Sequence, residues 1–342
     1  MTVFRLTEKD LNTWVGRLVA RGTVYGVQER YGRFVFERLH RAEDLRLDYD
    51  VTILPPKKYL LPTREELLAF RKGEQYESLW PREPFVLLGV HPYDFVAIRQ
   101  LDTLFSRDNR DEHYLRRRRL ATIVVCDVQT VSENVFAGCM NTAVVQDGYD
   151  ALLTRIAEGY LLEVRGEKGA QLAELLDHPV QARPEDLQQR EAVWEENRRR
   201  LRRHELKVPL AELGDLLERS VDHPLWEEKA RLCYSCGSCN LVCPTCYCFD
   251  VRDETDWTLA RGHRYRVWDG CLLEDFAVVA GGHNFRPSRA ARYRHRYYRK
   301  GLYVPRMIGE TACVGCGRCI TACTTKIANP VEVYNRLMEE PV

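Results

Sequence analysis

The chain opens with a helical period. Leu11, Trp14, Val15, Leu18 and Val19 recur at the 3.6-residue spacing behind Thr7, a capping residue, and Gly22 ends the run. Two β-like runs follow, Thr23–Gln28 and Arg33–Leu39, and Pro55-Pro56 breaks the chain. Thr63 and Glu66 have capping-box spacing ahead of Leu67 and Leu68, which predicts a second helix start. Phe85–Val90 and Ala121–Cys126 are short continuous apolar runs of the kind buried on both faces of a sheet, with a helical stretch over Tyr93–Phe105 between them. Tyr160–Val164 reads as a further strand; Glu167–Leu176, Pro184–Arg203 and Ala211–Ser220 read as helices. Strand, helix, strand at this spacing predicts an α/β core.

Charge refines two of these helices. Glu195 and Glu196 precede Arg199 and Arg200 by three to five positions, so they can pair on a solvated helix face; the run Arg116–Arg119 reads the same way. Across all 342 residues, 51 Lys and Arg against 50 Asp and Glu leave a formal charge of only +1, which argues against a chain-wide polyanion binder. No apolar run reaches the ~20 residues that span a bilayer. The polar start, Met1 to Asp10, does not read as a secretory leader, so the expected location is cytoplasmic.

Cysteine changes the picture most. Residues 1–232 hold two, Cys126 and Cys139, and residues 233–323 hold the other eleven of the 13. Reducing compartments keep thiols free, so this density points to metal rather than disulfides. The expected fold is α+β: an N-terminal α/β domain over 1–222, then a ferredoxin-like domain over 223–342 with a long insertion at about 249–310.

Cys233, Cys236, Cys239 and Cys243 form one C-x2-C-x2-C-x3-C run, and Cys313, Cys316, Cys319 and Cys323 form a second. This is the spacing of bacterial two-cluster ferredoxins, in which a short loop offers three thiolates to one cube and the fourth cysteine reaches the other. The expectation is two 4Fe-4S clusters: Cys233, Cys236, Cys239 and Cys323 on the first, Cys313, Cys316, Cys319 and Cys243 on the second. The fourth cysteine is expected near the start of a helix. Gly237, Gly315 and Gly317 are expected to relieve crowding where backbone amides approach sulfur. Zinc fits poorly, because it favours two separated hooks. Cys246, Cys248 and Cys271 remain. They read as buried packing thiols, with a third metal or redox centre as the alternative, so a third cluster is not favoured.

Phe285–Lys300, FRPSRAARYRHRYYRK, interleaves bases with tyrosines. That could bind nucleic acid. The near-neutral chain favours a helix whose arginines face the negative clusters. No G-x-G-x-x-G fingerprint occurs, so FAD and NAD(P) are not expected on this chain.

CYSCGSCNLVCPTCYCFDV at Cys233–Val251, RVWDGC at Arg266–Cys271, AGGHNFRP at Ala280–Pro287 and CVGCGRC at Cys313–Cys319 resemble the beta subunit of cytoplasmic sulfhydrogenases, the NiFe hydrogenase and sulfur reductase complexes. They are also similar to the iron–sulfur electron-transfer subunit of anaerobic sulfite reductase. GVHPYD at Gly89–Asp94, SENVFAGCMNT at Ser132–Thr142 and GYDALLT at Gly148–Thr154 carry the resemblance into the N-terminal half. The resemblance implies an electron-relay subunit with no catalytic residue of its own. Its implied partners are a flavin subunit binding FAD and NAD(P)H, and the small and large NiFe hydrogenase subunits or, in the sulfite reductase, a sirohaem subunit. The family commonly has cysteines where Tyr93, Val135 and Ala137 stand here, and serine where Cys139 stands, so any N-terminal cluster is expected to be absent or altered. Thr324 replaces a usual proline.

Overall fold

The computed structural model describes residues 2–340. The strands are β1 (Thr2–Leu6), β2 (Thr23–Arg30), β3 (Arg33–Arg38), β4 (Arg64–Arg71), β5 (Glu77–Ser78), β6 (Phe85–Val90), β7 (Ala121–Cys126), β8 (Ala151–Ile156), β9 (Gly159–Val164), β10 (Val180–Gln181), β11 (Phe249–Thr255) and β12 (Arg261–Trp268). Eight of them form one sheet in the order β10-β1-β9-β8-β7-β6-β2-β3. Its centre, β2, β6, β7 and β8, is parallel, and antiparallel strands flank it on both sides.

Alternation along the central strands explains the two apolar layers. Leu87, Ile123 and Val125 face one layer with Phe95, Ile98 and Trp194; Leu88 and Val124 face the other with Trp14, Leu18 and Leu162. The helix Glu8–Arg21 starts at the Thr7 cap, where Asp10 completes the capping box. β6 and β7 have the bounds that their apolar runs predicted, and the intervening helix spans Pro92–Ser106.

The helix start predicted at Thr63 is a strand instead. β4 pairs with β12, nearly 200 residues on, in a second sheet ordered β11-β12-β4-β5. Buried Glu65 on β4 receives Arg266 Nε at 2.7 Å, and Arg117 also meets it. Tertiary pairing overrides a capping signal worth ~1 kcal/mol. Arg266 also meets Asp111, the cap of the helix Glu112–Leu120. RVWDGC thus fastens the insertion to the N-terminal half.

A further core holds the cysteine region. Trp226, Tyr293, Tyr297, Ile320, Val333 and Tyr334 form its centre, and Leu206, Val208, Leu213, Leu216 and Leu217 join it from the N-terminal side of residue 222. The fold is the mixed α/β arrangement that the sequence implied, a sheet layer followed by a helical cysteine region. No helix among the described residues is long and apolar enough to cross a membrane.

Candidate metal centres

The two cysteine motifs fold into matching turns. Ser235 (φ 54°) and Gly315 (φ 66°) stand two residues after the first cysteine, and Gly237 (φ 72°) and Gly317 (φ 75°) stand four after it. These left-handed residues curl each loop. Each curl ends in a short helix, Ser238–Leu241 or Arg318–Ala322, and the fourth cysteine follows it. The fourth cysteine, expected near the start of a helix, lies instead just past the end of one.

The glycines answer to a different neighbour from the one expected. A Cβ on Gly315 would stand 2.6 Å from the Ala137 nitrogen, and one on Gly317 would collide with the Asn134 carbonyl. At Gly315 and Gly317 the segment 134–137 crowds the backbone, and at Gly237 the Leu273 side chain does. Residues 134–142 also fasten the loop: Phe136 N donates to Gly315 O (2.7 Å), Thr142 Oγ1 to Val314 O (2.7 Å) and Asn134 Nδ2 to Thr321 Oγ1 (3.0 Å). Arg318, inside the turn, makes a buried two-pronged contact with Asp94 at 2.6 Å for each prong and reaches Thr52 O at 2.7 Å. Burial pushes the Asp94 carboxyl up even against this guanidinium. GVHPYD and SENVFAGCMNT thus act on the second turn.

Two small cavities of similar size lie at these turns. Cys233, Cys236, Cys239 and Cys323 line the first, with Tyr293, Leu272 and Ile327. Cys243, Cys313, Cys316 and Cys319 line the second, with Arg296, Lys300 and Tyr334. Each cavity gathers three cysteines from one motif and the fourth from the other. All 13 cysteines are free thiols. Among the described residues, no three His, Cys, Asp or Glu side chains converge as a single chelated ion requires.

The chemistry of the lining suits an anionic group. Arg296 and Lys300 are buried, and neither faces a carboxylate among the described residues. Burial opposes both charges, but Cys239 and Cys319 hold Arg296 protonated, and Cys243 and Cys246 hold Lys300. Burying bare cations is costly unless an anion answers them. Burial pushes Cys239 and Cys313 up to about 12. The two fourth cysteines differ. The Cys246 thiol donates to Cys243 and, with Lys300, holds it well below its ordinary range against burial. At Cys323 burial pushes up, but the Thr325 hydroxyl and the N–H groups of Ala328 and Ile327 bring it below. A threonine two residues after each fourth cysteine, Thr245 and Thr325, stands 3.3 and 3.6 Å from its sulfur. Sequence reasoning missed these threonines, though the repeated Cys-x-Thr was visible.

Cys246 and Cys271 are buried and Cys248 is half-buried; none lines either cavity. Asn240 Nδ2 donates to Cys271 Sγ (3.3 Å), and Lys57 Nζ donates to Cys246 O. Burial brings Lys57 down to about 8. Tyr93, Val135 and Ala137 pack together against Val314 and Cys316. Cys126 lies in the sheet core, pushed up to about 12 by burial, and Cys139 Sγ lies 3.3 Å from His204 O. The basic run folds into the helix Arg289–Tyr298. Its Arg292, Arg296, Tyr293 and Tyr297 are buried, so this face is turned away from any nucleic acid.

Paired cysteine turns around two cavities, set beside an α/β sheet, define an iron–sulfur protein of the dicluster type. Residues 232–327 match the family model of the 4Fe-4S dicluster domain. The whole chain is similar to sulfhydrogenase 2 subunit beta of Pyrococcus furiosus, 34% identical over 341 residues and 99% of each chain. It belongs to the sulfhydrogenase beta-subunit family, and is an iron–sulfur electron-transfer subunit. No solved structure matches it.

Proposed function

We propose that this chain relays electrons within a sulfhydrogenase-type NiFe hydrogenase complex, between a flavin subunit that handles NAD(P)H and the hydrogenase subunits. It does so through two 4Fe-4S clusters, one held by Cys233, Cys236, Cys239 and Cys323, the other by Cys313, Cys316, Cys319 and Cys243. The observation that carries the reading is the sorting of eight cysteines into two cavities, each with three thiols from one turn and one from the other. When bound, such clusters supply one-electron transfer at a potential set by charge, hydrogen bonds and exposure. The chain supplies the rest: thiols in fixed cages, Thr245 and Thr325 beside the two borrowed sulfurs, and apolar walls of Tyr293, Tyr297, Tyr334 and Leu272 that exclude water. The crossed sharing keeps the two sites adjacent.

Anaerobically reconstituted protein should bind about eight irons and as many acid-labile sulfides. Cys243→Ala should remove the cluster of the Cys313 turn and leave that of the Cys233 turn, read by iron content and EPR. Loss of the Cys233-turn signal instead would refute the crossing. Affinity purification from the native host should bring hydrogenase and flavin subunits with the chain.

A further inference from the structure

The helix Arg289–Tyr298 and the turn after it serve the two cavities unequally. Tyr293 lines the first cavity and Tyr297 the second, so the helix crosses both. Its cations do not divide evenly. Arg296 and Lys300 line the second cavity, and among the described residues no charged side chain lines the first. Arg296 Nε donates to Asn240 Oδ1 (3.2 Å), and Lys300 Nζ donates to Thr245 Oγ1 (2.7 Å). Both partners are neutral. Arg318 also neighbours the second site, but Asp94 cancels its charge. Arg292 donates to the carbonyls of Arg286 and Pro287 and reaches Ser235 Oγ at 3.5 Å, and Arg289 donates to Cys233 O (3.3 Å), so these two arginines touch the first turn from outside without lining its cavity.

Two effects compete. The first site opens to water at Cys236, the one exposed ligand candidate, and Cys323 takes backbone hydrogen bonds; both favour an added electron there. The second site has no exposed cysteine, which disfavours added charge. It has two whole positive charges, both buried, where Coulomb attraction is least screened. Full charges at the cavity wall outweigh amide dipoles and partial exposure.

We propose that Arg296 and Lys300 set the order of reduction, so that the second cluster takes an electron before the first. Lys300 acts on the second cluster alone. Arg296, which also neighbours Cys239, acts on both. The second site is therefore the resting place of the first electron, and the first site, at the surface, is the point of exchange with a partner. This rests on the ligand assignment proposed above.

The test is an EPR-monitored redox titration of the full chain with about eight irons bound. Cys236→Ser and Cys243→Ser first assign the two signals. If both alter the same signal, the ligand reading fails before any potential is compared. With signals assigned, the wild-type second cluster should be reduced first. Lys300→Met should weaken its reduction equilibrium at least tenfold, which is 59 mV for one electron, and shift the first cluster less than threefold. Lys300→Arg should stay within threefold of wild type, and Arg296→Met should shift both clusters the same way. Should Lys300→Met lose iron, Lys300→Gln removes the charge while keeping a polar group. The order is overturned if the first cluster is reduced first in the wild type. It is equally overturned if the neutral Lys300 variants shift neither cluster or both alike.

Discussion

The two cysteine turns share spacing, left-handed residues and a closing helix, yet the rest of the chain treats them differently. Residue 238 in the first turn is a serine, 3.4 Å from Cys236 Sγ. The equivalent residue in the second, Arg318, is buried against Asp94 and Thr52. Gly237 meets only the Leu273 side chain, whereas Gly315 and Gly317 meet the backbone of residues 134–137. A short motif shapes a thiol cage; what surrounds the cage then decides its charge, its burial and its dependence on distant parts of the chain.

The largest contrast should come from residue 238 against residue 318. Arg318→Met leaves Asp94 buried without a cation, at a cost of about 3–5 kcal/mol. Ser238→Ala should cost less than about 1 kcal/mol. Anaerobic unfolding curves measure both, and equal effects would break the comparison. The glycines come next. Gly317→Ala combines a left-handed conformation with a backbone collision and should cost roughly 2–4 kcal/mol, with second-site iron lost first. Gly237→Ala, at φ 72° but 3.2 Å from a movable leucine side chain, should cost about 1 kcal/mol.

A third contrast sets two buried acids side by side. Asp94 faces an arginine, but Asp127 has only Thr154 Oγ1 (2.6 Å) and Trp194 Nε1 (2.8 Å) on one oxygen and nothing on the other. Burial pushes its carboxyl up to about 6 from the ordinary 3.8. The folded chain therefore binds the extra proton between those values. Stability is lost as pH rises from about 4 to about 6, and the full penalty is present above that. Asp127→Asn should gain on wild type by about 1–3 kcal/mol on going from pH 4 to pH 7, read from paired unfolding curves. A flat difference would show that Asp127 is not the buried acid that titrates.

The strands β6 and β7, the first helix and both cysteine turns were legible because each is written in neighbouring residues: an apolar run, a cap with a period, a fixed count between thiols. β4 was not, since its partner lies nearly 200 residues away and Glu65 is satisfied by Arg266. The N-terminal fragments of the resemblance were visible as letters, but their work on the second turn was not. Asp94 and Arg318 are separated by 224 positions.

Local order in the chain thus specified which cysteines form a turn, how many turns there are and where β6 and β7 run. It could not specify which cavity would receive Arg296 and Lys300, or that residues 134–137 would press on one turn and spare the other. Spacing is a property of adjacent peptide units, whereas charge and burial at a site are sums over everything packed against it, and those neighbours exist only once the chain has folded.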